Sequence, residues 1–167
     1  MNTIIKKAAL VAALATASLS ANAAESHITV YTNVDMSLAL LKEDGSALPD
    51  EIPLTHVPGT TGGLRPHIER VRIFTNAEDK DVEIRLATVP NPVNTEGKGV
   101  PVPLTVRLNS VTLTDAAQDF LASDIYDGAI PGRSIIMPLE IAQTTRAPIP
   151  TEGRFEGMVS VILAQKP

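Results

Sequence analysis

Residues 24–34 read AESHITVYTNV. Ile28, Val30 and Val34 alternate with polar neighbours, which is the period-two pattern of a strand with one apolar face. Thr32 lies in the same phase, and we expect it to cover a shallower part of the surface that the strand meets. A strand near the start of a chain has a free end and is available for pairing with another molecule.

Residues 1–23 have the features of a secretory signal peptide. Lys6 and Lys7 precede an apolar run at residues 8–19, and ANA at residues 21–23 is an A-x-A cleavage site. The run is shorter than the roughly 20 residues of a membrane-spanning helix, and the alternative is a retained anchor. We expect a cleaved signal at residues 1–23, an N-terminal donor strand at residues 24–36, and one domain at residues 37–167.

Composition excludes several classes of protein. The full chain has a formal net charge of −5, and loss of Lys6 and Lys7 makes the exported chain more acidic. With no Trp and no basic cluster, it lacks the groups that bind nucleic acid. The absence of Cys excludes disulfides, thiolate metal sites and cysteine nucleophiles. The domain is therefore stabilised by apolar packing and backbone pairing, or by a partner chain.

Pro and Gly divide the remaining sequence into short segments that alternate as half-buried strands do. Leu38, Leu40 and Leu41 are expected to begin the domain. The later strands have core-facing residues Val71 and Ile73; Val82, Ile84 and Leu86; Leu104, Val106 and Leu108; Ile135, Met137, Leu139 and Ile141; and Phe155, Val159, Val161 and Leu163. This pattern predicts an all-β sandwich.

Two local features refine the prediction. Pro138 indicates that its strand lies at a sheet edge or contains a bulge, because proline has no N–H to donate. Residues 114–123 form the one helical candidate, with Thr114 and Asp115 as possible capping residues. A single helical turn or a loop fits that stretch equally well.

No motif in the sequence predicts catalysis or metal binding. His27, His56 and His67 lie in separate segments without zinc-site spacing, and residues 79–81 (DKD) lack the further ligands of a calcium loop. The glycine-rich residues 59–63 are not followed by Gly-Lys-Ser/Thr, and there is no G-x-S-x-G. A Ser-His-Asp set stays open, because its members meet only in the fold. We expect no enzyme activity, cofactor or metal.

Several segments resemble the major pilins of class 5 fimbriae, the group of colonization factor antigen one, the coli surface antigens and the cable pilins, with the cable pilins as the nearest likeness. The most specific is DGSALP at residues 44–49. The others are residues 28–30, 33–35, 38–41, 54–59, 75–76 and 155–163. The resemblance spans nearly all of the chain after residue 23. One departure is Met36, where related pilins often have proline, so a local kink associated with that proline is not expected to carry over.

The resemblance implies an incomplete immunoglobulin-like sandwich that is completed by a donor strand from a neighbouring subunit. It also implies a periplasmic chaperone, an outer-membrane usher, a minor tip adhesin and a location in a fimbria on the bacterial surface. The expected donor residues are Ile28, Val30, Thr32 and Val34, and the candidates for one wall of the acceptor groove are Phe155, Val159, Val161 and Leu163. Strand addition of this kind is a known mode of chaperone–pilin recognition.

We therefore interpret the chain as the major structural subunit of an adhesive fimbria, polymerising by donor-strand exchange. One alternative is a tip adhesin or receptor-binding module of the same pathway, although such proteins usually have a second domain. The other is a self-contained secreted binding protein with a complete sandwich. The sequence identifies no host receptor.

Overall fold

The computed structural model describes residues 38–167. The expected signal peptide, the donor residues Ile28, Val30, Thr32 and Val34, and Met36 lie outside these residues. The described part contains β1 (Ala39–Lys42), β2 (His56–Val57), β3 (Gly63–Leu64), β4 (His67–Phe74), β5 (Val82–Leu86), β6 (Val93–Asn94), β7 (Leu104–Leu108), β8 (Val111–Leu113), β9 (Gln118–Phe120), α1 (Ala122–Ile125), β10 (Met137–Gln143), β11 (Phe155–Glu156) and β12 (Val161–Gln165).

The strands form two packed antiparallel sheets. The larger sheet has the order β1-β4-β10-β7-β8 and the smaller has the order β12-β5-β9. Two short ribbons, β2-β3 and β6-β11, flank them. The only helix within residues 38–167 is the four-residue α1, and no helix there is long and apolar enough to cross a membrane. The all-β prediction is confirmed.

The core lies between the inner faces of the two sheets, as alternation predicts. On β5, Val82, Ile84 and Leu86 are buried, and the intervening Glu83 and Arg85 face away. The buried cluster is completed by Val71, Ile73, Leu104, Val106, Leu108, Leu113, Phe120, Ile125, Met137, Leu139 and Ile141. These branched and aromatic side chains remove apolar surface from water and stabilise the sandwich without any disulfide.

The sandwich has two ends that matter for function. The upper end consists of residues 75–81 and 121–133, and β1 begins there because Ala39 pairs with Phe74. The lower end consists of residues 87–103 and 144–160. It lies beyond the pairs Leu86–Val161 and Leu104–Gln143, at the opposite ends of the same strands.

The prediction that Pro138 marks an edge or a bulge is wrong. β10 is the central strand of the large sheet and pairs with both β4 and β7. Pro138 lies where the β7 ladder ends, and its carbonyl accepts a hydrogen bond from the Asn109 N–H at 3.0 Å. The missing proline N–H therefore removes no bond from the continuous part of the ladder.

The helical candidate at residues 114–123 is also wrong in position. Gln118–Phe120 is β9, and the helix is the single turn α1 that follows it. The Thr114 hydroxyl accepts the Ala116 N–H at 3.2 Å, so it stabilises a turn and does not cap a helix. The first residue of α1 is held by a side chain that is remote in sequence: Asp81 Oδ1 accepts a hydrogen bond from the Ala122 N–H at 2.8 Å.

Ser134 is a buried polar residue that connects the upper end to the large sheet. Its hydroxyl oxygen accepts the backbone N–H of Ile73 at 2.8 Å and donates to the carbonyl of Ile135 at 2.8 Å. The side chain is fully buried, so water does not replace these bonds when the hydroxyl is removed.

We predict that Ser134→Ala lowers the free energy of unfolding by about 2 kcal/mol, because the Ile73 N–H is left without a partner in the core. The measurement is urea unfolding followed by circular dichroism. The matched control is Ser123→Ala on α1, which is exposed and should change stability by less than about 0.5 kcal/mol. Equal effects of the two substitutions would contradict the role assigned to Ser134.

Candidate acceptor groove

The two sheets are joined along one side and open along the other. The outer strands β8 and β9 are connected directly by residues 114–117, and the Leu86 N–H donates to the Thr114 carbonyl at 2.7 Å across that side. The other two outer strands, β1 and β12, therefore border the opposite side. Within residues 38–167, β1 pairs only with β4 and β12 pairs only with β5. Each leaves one backbone edge without a ladder partner in that part of the chain.

β12 faces the core from this open side. Val161 and Leu163 lie opposite Leu86 and Ile84, which are both buried, so they point to the same inner face. Val159 continues this phase, and all three pack against the core cluster while remaining half-buried. The neighbouring Ala164 faces outward and is exposed. These three residues thus occupy the inner face of an outer strand.

Phe155 belongs to a different element. The sequence pattern predicted one strand that contains Phe155, Val159, Val161 and Leu163. In the structure, residues 157–160 are not in a strand, and they separate β11 from β12. Phe155 pairs with Asn94 in the β6-β11 ribbon and is half-buried outside the core cluster. Its side chain lines the groove described next.

An open groove of about 1370 Å³ lies at the lower end of the sandwich, and its lining includes no residue of β1 or β12. Leu104 and Ile141 lie at its base, and both belong to the buried core. Phe155 and Val159 line it, whereas Val161 and Leu163 do not. The remaining lining comes from residues 49–54, 56, 64, 92, 102, 149, 151–154 and 156–158. The structure therefore places two of the four predicted wall residues in the groove and two farther along β12.

A second wall of the groove, at residues 49–54, was not predicted from the sequence. Leu48, Ile52 and Leu54 pack against the core cluster from the segment that follows β1. Pro49 and Pro53 interrupt this segment and have no N–H to donate, so it supplies apolar side chains without a regular ladder. The spacing of Leu48, Ile52 and Leu54 follows neither the strand period nor the helix period. The only signal in the sequence is the grouping of these apolar residues around the two prolines.

A turn at residues 44–46 directs the chain from β1 into this wall. The Asp44 carboxylate accepts the Ser46 N–H at 2.9 Å and the Ser46 hydroxyl at 2.7 Å. The side-chain and backbone hydrogen bonds from Ser46 lower the pKa of Asp44. Gly45 adopts φ +87°, a left-handed conformation that favours glycine. The first three residues of the motif at residues 44–49 therefore form this turn, and each is needed for its geometry.

The groove offers no arrangement for metal or acid–base chemistry. No cluster of three or more His, Asp or Glu side chains in residues 38–167 is placed to hold a metal ion. His56 lines the groove, but His67 lies on β4, with its Nε2 3.7 Å from Glu69. At the rim, Arg154 pairs with Glu156 at 2.5 Å. The groove has core residues at its base and charged residues such as Glu51, Glu152 and Arg154 in its lining. An open groove of this size can receive an extended peptide.

Comparison with known proteins identifies the family. The model of the CS1 type fimbrial major subunit matches residues 24–164, beginning directly after the expected cleavage site. The chain belongs to this family. A CFA/I fimbrial protein of Escherichia coli is 30% identical over 149 residues, and the match covers 87% of each chain. A CS1 fimbrial protein of Escherichia coli is 29% identical over 169 residues, covering 96% of this chain and 98% of the relative.

A solved structure agrees with this assignment. The CooA pilin from enterotoxigenic Escherichia coli matches with a TM-score of 0.69 at 28% sequence identity, over 77% of this chain and 86% of that chain. The sandwich is thus an immunoglobulin-like pilin fold, and the family is one of structural pilins rather than enzymes. As a CS1-type major subunit, the chain assembles with copies of itself into fimbriae on the cell surface.

Proposed function

We propose that this CS1-type pilin polymerises by donor-strand exchange, in which residues 24–36 of one subunit complete the open side of the next. Two observations support the proposal: β12 has an edge without a ladder partner within residues 38–167 and half-buried, core-facing Val161 and Leu163, and Val159 just before it lines the groove. An incoming strand supplies the two missing components, a ladder for the backbone edge and apolar side chains for the core.

The donor strand has the side chains that this task requires. The period-two pattern predicts that Ile28, Val30 and Val34 share one face of a strand, with Thr32 in the same phase. At roughly 1.5–3 kcal/mol for each fully buried aliphatic side chain, the three contribute about 5–9 kcal/mol before ordering costs. Hydrogen bonds to β12 add to this, so the total is comparable to the stability of a whole domain.

We infer that the donor strand runs antiparallel to β12. Every strand pair within residues 38–167 is antiparallel, and an antiparallel addition continues the smaller sheet in the same pattern. In this direction Ile28 lies toward the upper end of the acceptor and Val34 toward its lower end. A contact of this type does not close on itself and therefore produces a filament.

The open side also explains the accessory partners in this proposal. Exposed core-facing residues and an unpaired strand edge promote aggregation, so the pilin needs cover before assembly. A periplasmic chaperone supplies that cover after the signal at residues 1–23 is removed. An outer-membrane usher then directs the exchange for the next pilin's strand, and a minor tip adhesin ends the fibre.

The phase of the donor strand provides the first test. We predict that Ile28→Asp with Val30→Asp abolishes fibres without reducing export, because two carboxylates then face the apolar groove. The control is Thr29→Asp with Tyr31→Asp, which adds the same charge to the outward face and should leave fibre yield within twofold of wild type. Fibre yield is measured by electron microscopy of whole cells. Normal fibres from the inward pair would rule out the proposed strand.

The phase of β12 gives a matched test on the acceptor. Leu163→Asp should reduce fibre yield at least tenfold, because its inward position places a charge where the donor strand packs. Ala164→Asp changes the adjacent exposed residue and should assemble normally. Periplasmic amounts of both variants are compared with wild type to separate assembly from folding. Equal assembly of the two variants would contradict the acceptor role of β12.

The completeness of the fold can be tested in a monomer. A mature pilin with residues 24–35 deleted should aggregate or melt at least 10 °C lower than a pilin with the same segment moved to the C-terminus through a flexible linker. The moved segment reaches β12 within one chain and removes the free donor end, so a stable monomer is expected. Identical melting of the two proteins as monomers would instead favour a self-contained binding protein.

A further inference from the structure

The exposed large apolar side chains of the sandwich are concentrated at its two ends. Val89, Val93, Val100 and Met158 lie at the lower end, with exposed fractions of 49, 52, 69 and 80%. Leu121 and Ile130 lie at the upper end, with exposed fractions of 48 and 38%. Ile68 and Val111 are exposed on strands of the large sheet. Clustered exposure of this kind marks an interaction surface more often than scattered single residues do.

The four lower-end residues, called here the lower-end patch, belong to segments that bind one another. The Val102 N–H donates to the Pro92 carbonyl at 2.9 Å, and the Leu104 N–H donates to the Pro90 carbonyl at 3.0 Å. Val93 lies opposite Glu156 in the β6-β11 ribbon. Because Pro90 and Pro92 are buried, Val89 and Val93 point together toward solvent.

The charges beside the patch are largely neutralised within the same chain. Lys98 Nζ lies 2.6 Å from Glu96, and Arg154 Nε lies 2.5 Å from Glu156. These pairs leave the patch bordered by compensated charges. An apolar centre with a polar border is the usual anatomy of a protein interface.

The length of the chain between donor strand and sandwich limits what can face this patch. Val34 is the last inward residue of the donor strand and Ala39 is the first residue of β1. The five steps between them span at most about 18 Å. β1 begins at the upper end of its own sandwich, and Val34 lies toward the lower end of the acceptor in the proposed antiparallel arrangement. The two ends are therefore held close together.

We propose that the lower-end patch is a docking surface for the upper end of a second copy of this chain, where Leu121 and Ile130 are exposed. The inference rests on the proposed donor-strand exchange and adds a second, body-to-body contact at each junction. The strand alone leaves successive subunits connected through residues 35–38. The apolar contact fixes the angle between them, so it determines the stiffness of the fibre.

The test compares fibres assembled from the full chain with single, double and quadruple substitutions. Val93→Lys with Val100→Lys should lower the persistence length in electron micrographs at least twofold. Ile68→Lys is the matched control, because Ile68 is 61% exposed and lies on β4; its fibres should have wild-type stiffness. Adding Leu121→Glu and Ile130→Glu to the lysine pair should restore stiffness, since opposite charges then meet across the junction.

A second measurement separates this inference from the proposed function. A synthetic peptide of residues 24–36 should raise the melting temperature of a pilin that lacks residues 24–35 by the same amount in wild type and in Val93→Lys with Val100→Lys. If the peptide stabilises both and their fibres are equally stiff, the patch inference is wrong and donor-strand exchange stands. If the peptide does not stabilise wild type, both fail. Unchanged stiffness with lost adherence to host cells would assign the patch to a host partner and overturn the second-copy contact.

Discussion

The outer backbone edge of β12 lacks a ladder partner within residues 38–167, and this unmet hydrogen bonding dominates the behaviour of the sandwich. The N–H and C=O groups of this edge need hydrogen-bond partners wherever water is excluded. On the opposite side of the sandwich the short connection between β8 and β9 joins the two sheets. In the proposed assembly, this asymmetry between a joined side and an open side determines where the partner strand lies.

In the proposed assembly, the groove wall at residues 49–54 contributes to recognition of the partner strand. Pro49 and Pro53 prevent the segment after β1 from forming a regular ladder, so it contributes Leu48, Ile52 and Leu54 but few backbone bonds. In the proposed assembly, a strand in the groove takes its hydrogen bonds from β12 and its apolar cover from both walls. Fibre formation then supplies the stability that small exported domains often obtain from disulfides, which is consistent with a chain that has no cysteine.

Local patterns predicted the strands well because burial on one face imposes a period of two. Val82, Ile84 and Leu86 are a direct case, and so are the inward residues of β12. The errors arose where a distant contact decides the outcome. Pro138 is tolerated in a central strand because β7 ends beside it, and β9 forms because β5 pairs with it. The wall at residues 48–54 has no periodic signal, since prolines and the core beneath it set its conformation.

The direction of β12 has a mechanical consequence for the proposed fibre. β12 runs between the two ends of the sandwich, with Val161 beside Leu86 and Gln165 beside Val82. A strand lying along it connects neighbouring pilins end to end, so tension on the fibre acts parallel to the shared ladder. Its hydrogen bonds are then loaded together in shear, whereas a perpendicular force would open them one at a time. The proposed ladder therefore resists separation of neighbouring pilins as a unit, because no single hydrogen bond carries the load alone.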